Sequence, residues 1–127
     1  MRLIGHRGAR GEAPENTLAG FHYLKAHGVL AVELDIQVSK NGELVVIHDP
    51  FLERSTLATG NVADKTTDEL LAVNASHKAF PQWPTVEGVP TLRAVMEVLK
   101  EFEHIQFEVK AQSEAHCRHV AHEFPKL

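Results

Sequence analysis

Strand-like and helix-like segments alternate along this sequence, which predicts an α/β fold built from βα units. Two further observations support that class. Carboxylates recur on the polar faces of two separate strand patterns, and histidines stand at the ends of two strands. The chain has 127 residues, of which 43% are hydrophobic and 24% charged, so it reads as one globular domain. A chain of this mass can bury about two thirds of its unfolded surface.

Residues 2–6 read as a short strand running into a loop, Gly8-Ala9-Arg10-Gly11. Pro14-Glu15-Asn16-Thr17 then opens a helix, with Asn16 as the expected cap. Leu18, Phe21 and Leu24 make its apolar face, and Gly28 stops it. Residues 29–38 form the clearest strand: Val32, Leu34, Ile36 and Val38 alternate with Glu33, Asp35 and Gln37. Asn41-Gly42 signals a tight turn into a strand over 43–48. A two-residue turn there sets Lys40 opposite Glu43 and Asp35 opposite His48.

Beyond Pro50 the pattern is less regular. Thr66 and Glu69 have capping-box spacing and predict a short helix through Leu70 and Leu71. Residues 80–88 read as an irregular loop, with Trp83 as a packing residue. Pro90-Thr91 starts a helix with Leu92, Val95, Met96, Leu99 and Phe102 at helical spacing. Residues 105–110 form the next strand, with Glu108 and Lys110 on its polar face. Ser113 caps a last helix whose apolar face holds Cys117, Val120, Ala121 and Phe124, so Cys117 is expected in the core.

Several function classes are excluded at this stage. A net charge of −4 disfavours a nucleic-acid-coating role. No apolar run is long enough for a transmembrane segment. A single cysteine rules out an internal disulfide and, with no signal-peptide pattern, predicts a cytoplasmic protein. The nine histidines would carry the charge from −4 to +5 if all were protonated.

Glu33 and Asp35 share a face about 6.6–6.8 Å apart along their strand. With Glu108 they offer three hard oxygen ligands for Ca²⁺ or Mg²⁺; a solvated acidic edge fits the same spacing. His6 and His48 can serve as general base and acid, or merely bond loop carbonyls, and Asp49 can orient His48. Arg7 can grip a phosphate bidentately and Lys110 can add a point charge; both also suit surface ion pairs. His116, His119 and His122 drift around the last helix and suit a solvated or partner-facing role.

These motifs, taken in order, resemble the glycerophosphodiester phosphodiesterase family, within the phospholipase C-like phosphodiesterase superfamily. The resemblance rests on His6-Arg7-Gly8, Pro14-Glu15-Asn16-Thr17, Glu33-Leu34-Asp35, Val45-Val46-Ile47-His48-Asp49, Pro90-Thr91-Leu92 and Glu108-Val109-Lys110. Arg54, Thr56 and Gly60 match a further Arg-Thr…Gly segment. It implies a metal-dependent phosphodiesterase on a TIM (β/α)₈ barrel, with the site at the carboxyl ends of the strands. His6 would accept a proton and His48 donate one. Glu33, Asp35 and Glu108 would bind Ca²⁺ or Mg²⁺, Arg7 and Lys110 would hold the phosphate, and Glu15, Asn16 and Asp49 would support them. The substrate would be a small-molecule glycerophosphodiester, cleaved to glycerol 3-phosphate and an alcohol.

Such a barrel takes roughly 250 residues. The sequence therefore predicts the N-terminal half, about four strands: barrel elements over 1–49 and 90–127, and an insertion over the barrel mouth at 50–89. The open half would need a homodimer partner or the missing C-terminal half. Two alternatives remain: a half-barrel that keeps these residues but is inactive and self-associates, and a related two-histidine phospholipase-type phosphodiesterase.

Overall fold

The computed structural model describes residues 3–110 and 113–127. Its strands are β1 (Gly5–His6), β2 (Ala31–Val38), β3 (Leu44–Val46) and β4 (His104–Val109). Its helices are α1 (Leu18–Ala26), α2 (Thr67–Ala72), α3 (Leu92–Val98) and α4 (Glu114–Glu123). The first strand is shorter than the expected 2–6, and Arg2 lies outside the described residues.

β2 is the axis of the sheet. It pairs in parallel with β1 and with β4, and antiparallel with β3. Three strands therefore run parallel, as in a barrel half, and the fourth is a hairpin return rather than a barrel stave. Both faces of β2 are covered: of its residues only Glu33 is not fully buried.

On one face, Val32, Leu34, Ile36 and Val38 join Leu44 and Val46 in the main core. Phe21 and Leu24 from α1, Leu92 and Val95 from α3, and Val120 from α4 pack against them. On the opposite face of β3, Val45 and Ile47 meet Leu52, Val62, Leu70 and Val89 from the segment over 50–89. That segment thus has a small core of its own. Glu87 ties it to the barrel part, accepting from the Ala19 N–H at the first turn of α1 (3.1 Å).

The hairpin register differs from the expected one by a residue. Ile36 pairs with Val46 and Val38 with Leu44, so Asp35 stands opposite Ile47. Ser39 and Glu43 close a three-residue loop, and Gly42 takes φ +85° at its third position. That is the bulged turn rather than the two-residue one, and only glycine accepts this φ without strain. A one-residue shift exchanges faces. β3 also ends at Val46, so His48 lies beyond it, in a bend.

The helix caps follow the sequence with one exception. Thr66 and Glu69 form a reciprocal capping box, and Thr91 and Ser113 cap α3 and α4. At α1, however, Thr17 is the cap and accepts from the Gly20 N–H at 3.1 Å. Asn16 is left for another contact. Cys117 is exposed rather than in the core. Only Val120 of α4 is buried, because nothing covers the far side of the helix or the outer edge of β4 among the described residues.

Leu34 has no exposed surface whereas Leu57 is 60% exposed. Leu34→Ala is expected to lower the unfolding free energy by about 2–5 kcal/mol, and Leu57→Ala by no more than about 0.5 kcal/mol. Urea unfolding followed by circular dichroism checks both values; similar losses would contradict this description of the core.

Candidate active site

The β2–β4 register brings the acidic residues together. Asp35 and Glu108 are direct partners across the two parallel strands, and Glu33 precedes Asp35 by two residues on the same face. One carboxylate oxygen from each of the three lies within 4.8 Å of the others. On the other edge of β2, His6 pairs with Glu33. His6 and Glu108 stand toward the carboxyl ends of β1 and β4, whereas Glu33 and Asp35 are the third and fifth residues of β2.

Burial decides what these carboxylates need. Asp35 is completely buried, and Glu33 is largely so. Asp35 Oδ2 accepts from Asn16 Nδ2 at 3.0 Å, and Glu33 Oε1 accepts from the Arg7 N–H at 3.1 Å. Asp35 Oδ1 and Glu33 Oε2 are buried with no hydrogen-bond partner. Two orphaned carboxylate oxygens facing a third carboxylate suit a hard divalent cation, which would supply the missing charge. Burial pushes the Glu33 carboxyl up to about 7, and the Asp35 and Glu108 carboxylates beside it add to the rise. Glu108 is exposed, and Lys110 Nζ, 2.6 Å from its Oε1, holds its pKa below the usual range.

Arg7 and Asn16 take left-handed φ values of 50° and 52°. Such a conformation costs a non-glycine residue about 1–3 kcal/mol, so surrounding contacts must impose it. They do: the Asn16 N–H donates to the Arg7 carbonyl at 2.8 Å, and each residue also holds one of the buried carboxylates. The strained loop thereby aims the Arg7 guanidinium at the site. Its contacts there are long: Glu15 at 3.6 Å and Asp35 at 3.9 Å.

His48 is placed by its neighbours on either side. Gln37 Nε2 donates to its backbone carbonyl at 2.9 Å, and Asp49 Oδ1 lies 2.6 Å from its Nδ1. That contact leaves Nε2 as the reactive nitrogen. Arg54 then bonds Asp49 through Nε (2.7 Å) and Glu15 through both terminal nitrogens (3.0 and 2.8 Å). Burial alone would raise Asp49, but the bonds from Arg54 and His48 outweigh it and leave its pKa lowered. Glu15 behaves likewise, with Arg54, Arg7 and Arg10 overcoming its burial. His6 is largely exposed, its Nε2 3.9 Å from Glu33 Oε1.

The expected site residues therefore stand in one connected group: His6, Arg7, Glu15, Asn16, Glu33, Asp35, His48, Asp49, Glu108 and Lys110. Arg54 and Gln37 join them from outside the expected set. Arg54 stands in a matched segment, but no spacing rule joins it to a glutamate 39 residues away. His119 sits elsewhere, its Nε2 2.6 Å from the Gly42 carbonyl.

Parallel strands with helices packed on one face and a polar cluster on the other make half of a (β/α)₈ barrel. The model of the glycerophosphoryl diester phosphodiesterase family matches residues 6–125. Glycerophosphodiester phosphodiesterase 1 of Mus musculus is 36% identical over the whole chain, which spans 40% of that relative. An Oleispira antarctica phosphodiesterase, solved with the product sn-glycerol-3-phosphate, superposes with a TM-score of 0.80 at 33% identity. That match covers 87% of this chain and 45% of that one. A glycerophosphodiester phosphodiesterase from Agrobacterium tumefaciens gives 0.81 at 26% identity, over the whole chain and 64% of that one. The chain belongs to the glycerophosphoryl diester phosphodiesterase family, and spans less than half the length of the curated relatives it matches. Among the described residues, no helix is long and apolar enough to cross a membrane.

Glu33 sets a pH dependence. Its folded pKa of about 7 lies above the ordinary 4.5, so its favourable contribution is full below 4.5 and disappears as pH rises through 7. In chelator, the melting temperature of the wild type relative to Glu33→Gln is expected to fall between pH 5 and pH 8. Thermal melts of both proteins across that range check it; parallel curves would contradict the burial argument.

Proposed function

We propose that the chain carries the catalytic half of a metal-dependent glycerophosphodiesterase, which hydrolyses glycerophosphodiesters to glycerol 3-phosphate and an alcohol. The observation that carries this reading is the pair of orphaned carboxylate oxygens on Asp35 and Glu33 beside Glu108. Glu33, Asp35 and Glu108 would hold Ca²⁺ or Mg²⁺ between them. A bound divalent cation supplies charge neutralisation at the phosphoryl oxygens. Arg7 binds the phosphate with a guanidinium whose Nε has no hydrogen-bond partner. Lys110 adds a second positive charge on the Glu108 side.

In this scheme His6 accepts the proton of the attacking nucleophile and His48 donates one to the leaving oxygen. Asp49 fixes the tautomer that leaves His48 Nε2 to act. The order of the assignment follows exposure, since His6 is open to entering water and His48 is half-buried. The segment over 50–89 covers the mouth and shapes the pocket for the glycerol and alcohol, which its own core and its Arg54 contact with the site support.

The open half favours a second reading. β4 has no partner on its outer edge among the described residues, and Leu3, Ile4 and Val109 are exposed near the two lateral edges of the sheet. The chain then associates as a homodimer or needs the C-terminal half of the barrel, and alone it is inactive.

Hydrolysis of glycerophosphocholine with Mg²⁺ or Ca²⁺, with a chelator control, on protein sized by analytical ultracentrifugation separates the readings. Metal-stimulated turnover is expected, with His6→Ala and His48→Ala each losing about 10²–10⁴ in rate. Glu108→Gln is expected to weaken cation binding in a calorimetric titration. A folded, self-associated chain without turnover supports the second reading, and preference for a phosphoinositide supports a phospholipase-type activity.

A further inference from the structure

The loop after His48 is closed more tightly than an ordinary connection. The Leu52 N–H donates to the Gly60 carbonyl at 2.9 Å and joins its ends. Within it, Thr56 Oγ1 donates to the Leu52 carbonyl at 2.8 Å and accepts from the Ala58 N–H at 3.0 Å. Leu52 and Thr56 are buried. This frame presents Arg54, and the guanidinium it presents is shared by two carboxylates. One of them, Asp49, holds His48. The other, Glu15, is also within reach of Arg7.

Glu15 has a choice of cations. Arg54 engages both of its oxygens at hydrogen-bond distance, whereas Arg7 lies at 3.6 Å and Arg10 at 3.9 Å. A bidentate guanidinium–carboxylate pair is the strongest arrangement open to either group. While Arg54 occupies Glu15, Arg7 is left with long contacts only, and its buried Nε has no acceptor. Without Arg54, Glu15 would close on Arg7 and compete with an incoming phosphate.

We propose that Arg54 is a positioning residue with two effects: it holds Asp49 against His48, and it draws Glu15 away from Arg7 so that Arg7 can take an anion. Its effect on His48 rests on the phosphodiesterase reading; its effect on Arg7 needs only anion binding. Lysine cannot replace it, because one ammonium lacks the fork that reaches two carboxylates at once.

The test is the affinity for inorganic phosphate, followed by NMR titration of the full chain in chelator and in Mg²⁺, together with kcat and KM on glycerophosphocholine. Arg54→Ala and Arg54→Lys are expected to weaken phosphate binding by about three- to tenfold, the scale of one partly buried charge pair. Adding Glu15→Gln to Arg54→Ala is expected to restore phosphate affinity and KM, while kcat stays low because Asp49 is still unclamped. Arg7→Ala should abolish the restored binding. A role limited to holding the loop would leave the double variant as weak as the single one, and that result would overturn the proposal. So would Arg54 variants with unchanged phosphate affinity. If the wild type binds phosphate but does not turn over, the phosphodiesterase reading fails, and the order of affinities still decides the effect on Arg7.

Discussion

The pairing of β2 with β4 is the contact on which the rest of the site depends. In a parallel ladder the residues beside one another share a face, so a single register sets Asp35 next to Glu108. The same pairing continues the sheet that Leu34 and Ile36 anchor in the core. Stability and the placement of the acidic cluster are therefore drawn from one strand. Its apolar face is fixed by packing, which keeps Asp35 fully buried and leaves Glu33 only partly open to water. Carboxylates held in that way keep an unmet demand for positive charge.

The surrounding residues answer part of that demand and leave part open. Asn16 and the Arg7 N–H each bond one oxygen, and both do so from left-handed backbone that no isolated loop would choose. A network of arginines and carboxylates then runs outward through Glu15, Arg54 and Asp49 to His48. The links through Arg54 and Asp49 are short, whereas those made by the Arg7 and Arg10 guanidinium groups are long. The site is thus ordered around its periphery and unsatisfied at its centre, where Asp35 Oδ1, Glu33 Oε2 and Arg7 Nε have no hydrogen-bond partner.

Much of the architecture could be read from the residues. The alternation around Val32–Val38, the capping box at Thr66 and Glu69, and the caps at Thr91 and Ser113 are local signals, and local signals are legible. The ordered motifs likewise named the residues that the structure brings together. The misreadings were choices between near-equal options. Asn41-Gly42 suits a two-residue turn, but the loop takes three residues and uses Gly42 for the bulge. Asn16 and Thr17 can both cap a helix; the buried Asp35 claims Asn16 and leaves Thr17 for the cap. Cys117 lies on the apolar face of its helix, yet a core position needs something on the other side. The Arg54–Glu15 pair has no sequence signal because it joins two loops through space.

The separations along the chain between paired strands bear on how the molecule assembles. The β2–β3 hairpin joins residues 36 and 46, whereas the pairing that builds the acidic cluster joins residues 35 and 108. Loop-closure entropy rises with the length of chain enclosed, so the hairpin is the cheaper contact to form first. The segment over 50–89 lies between β2 and β4 and has its own small core. Folding it shortens the effective loop that β4 must close. A segment that faces the site in the finished structure thereby also acts, during folding, as a spacer that brings the last carboxylate within reach.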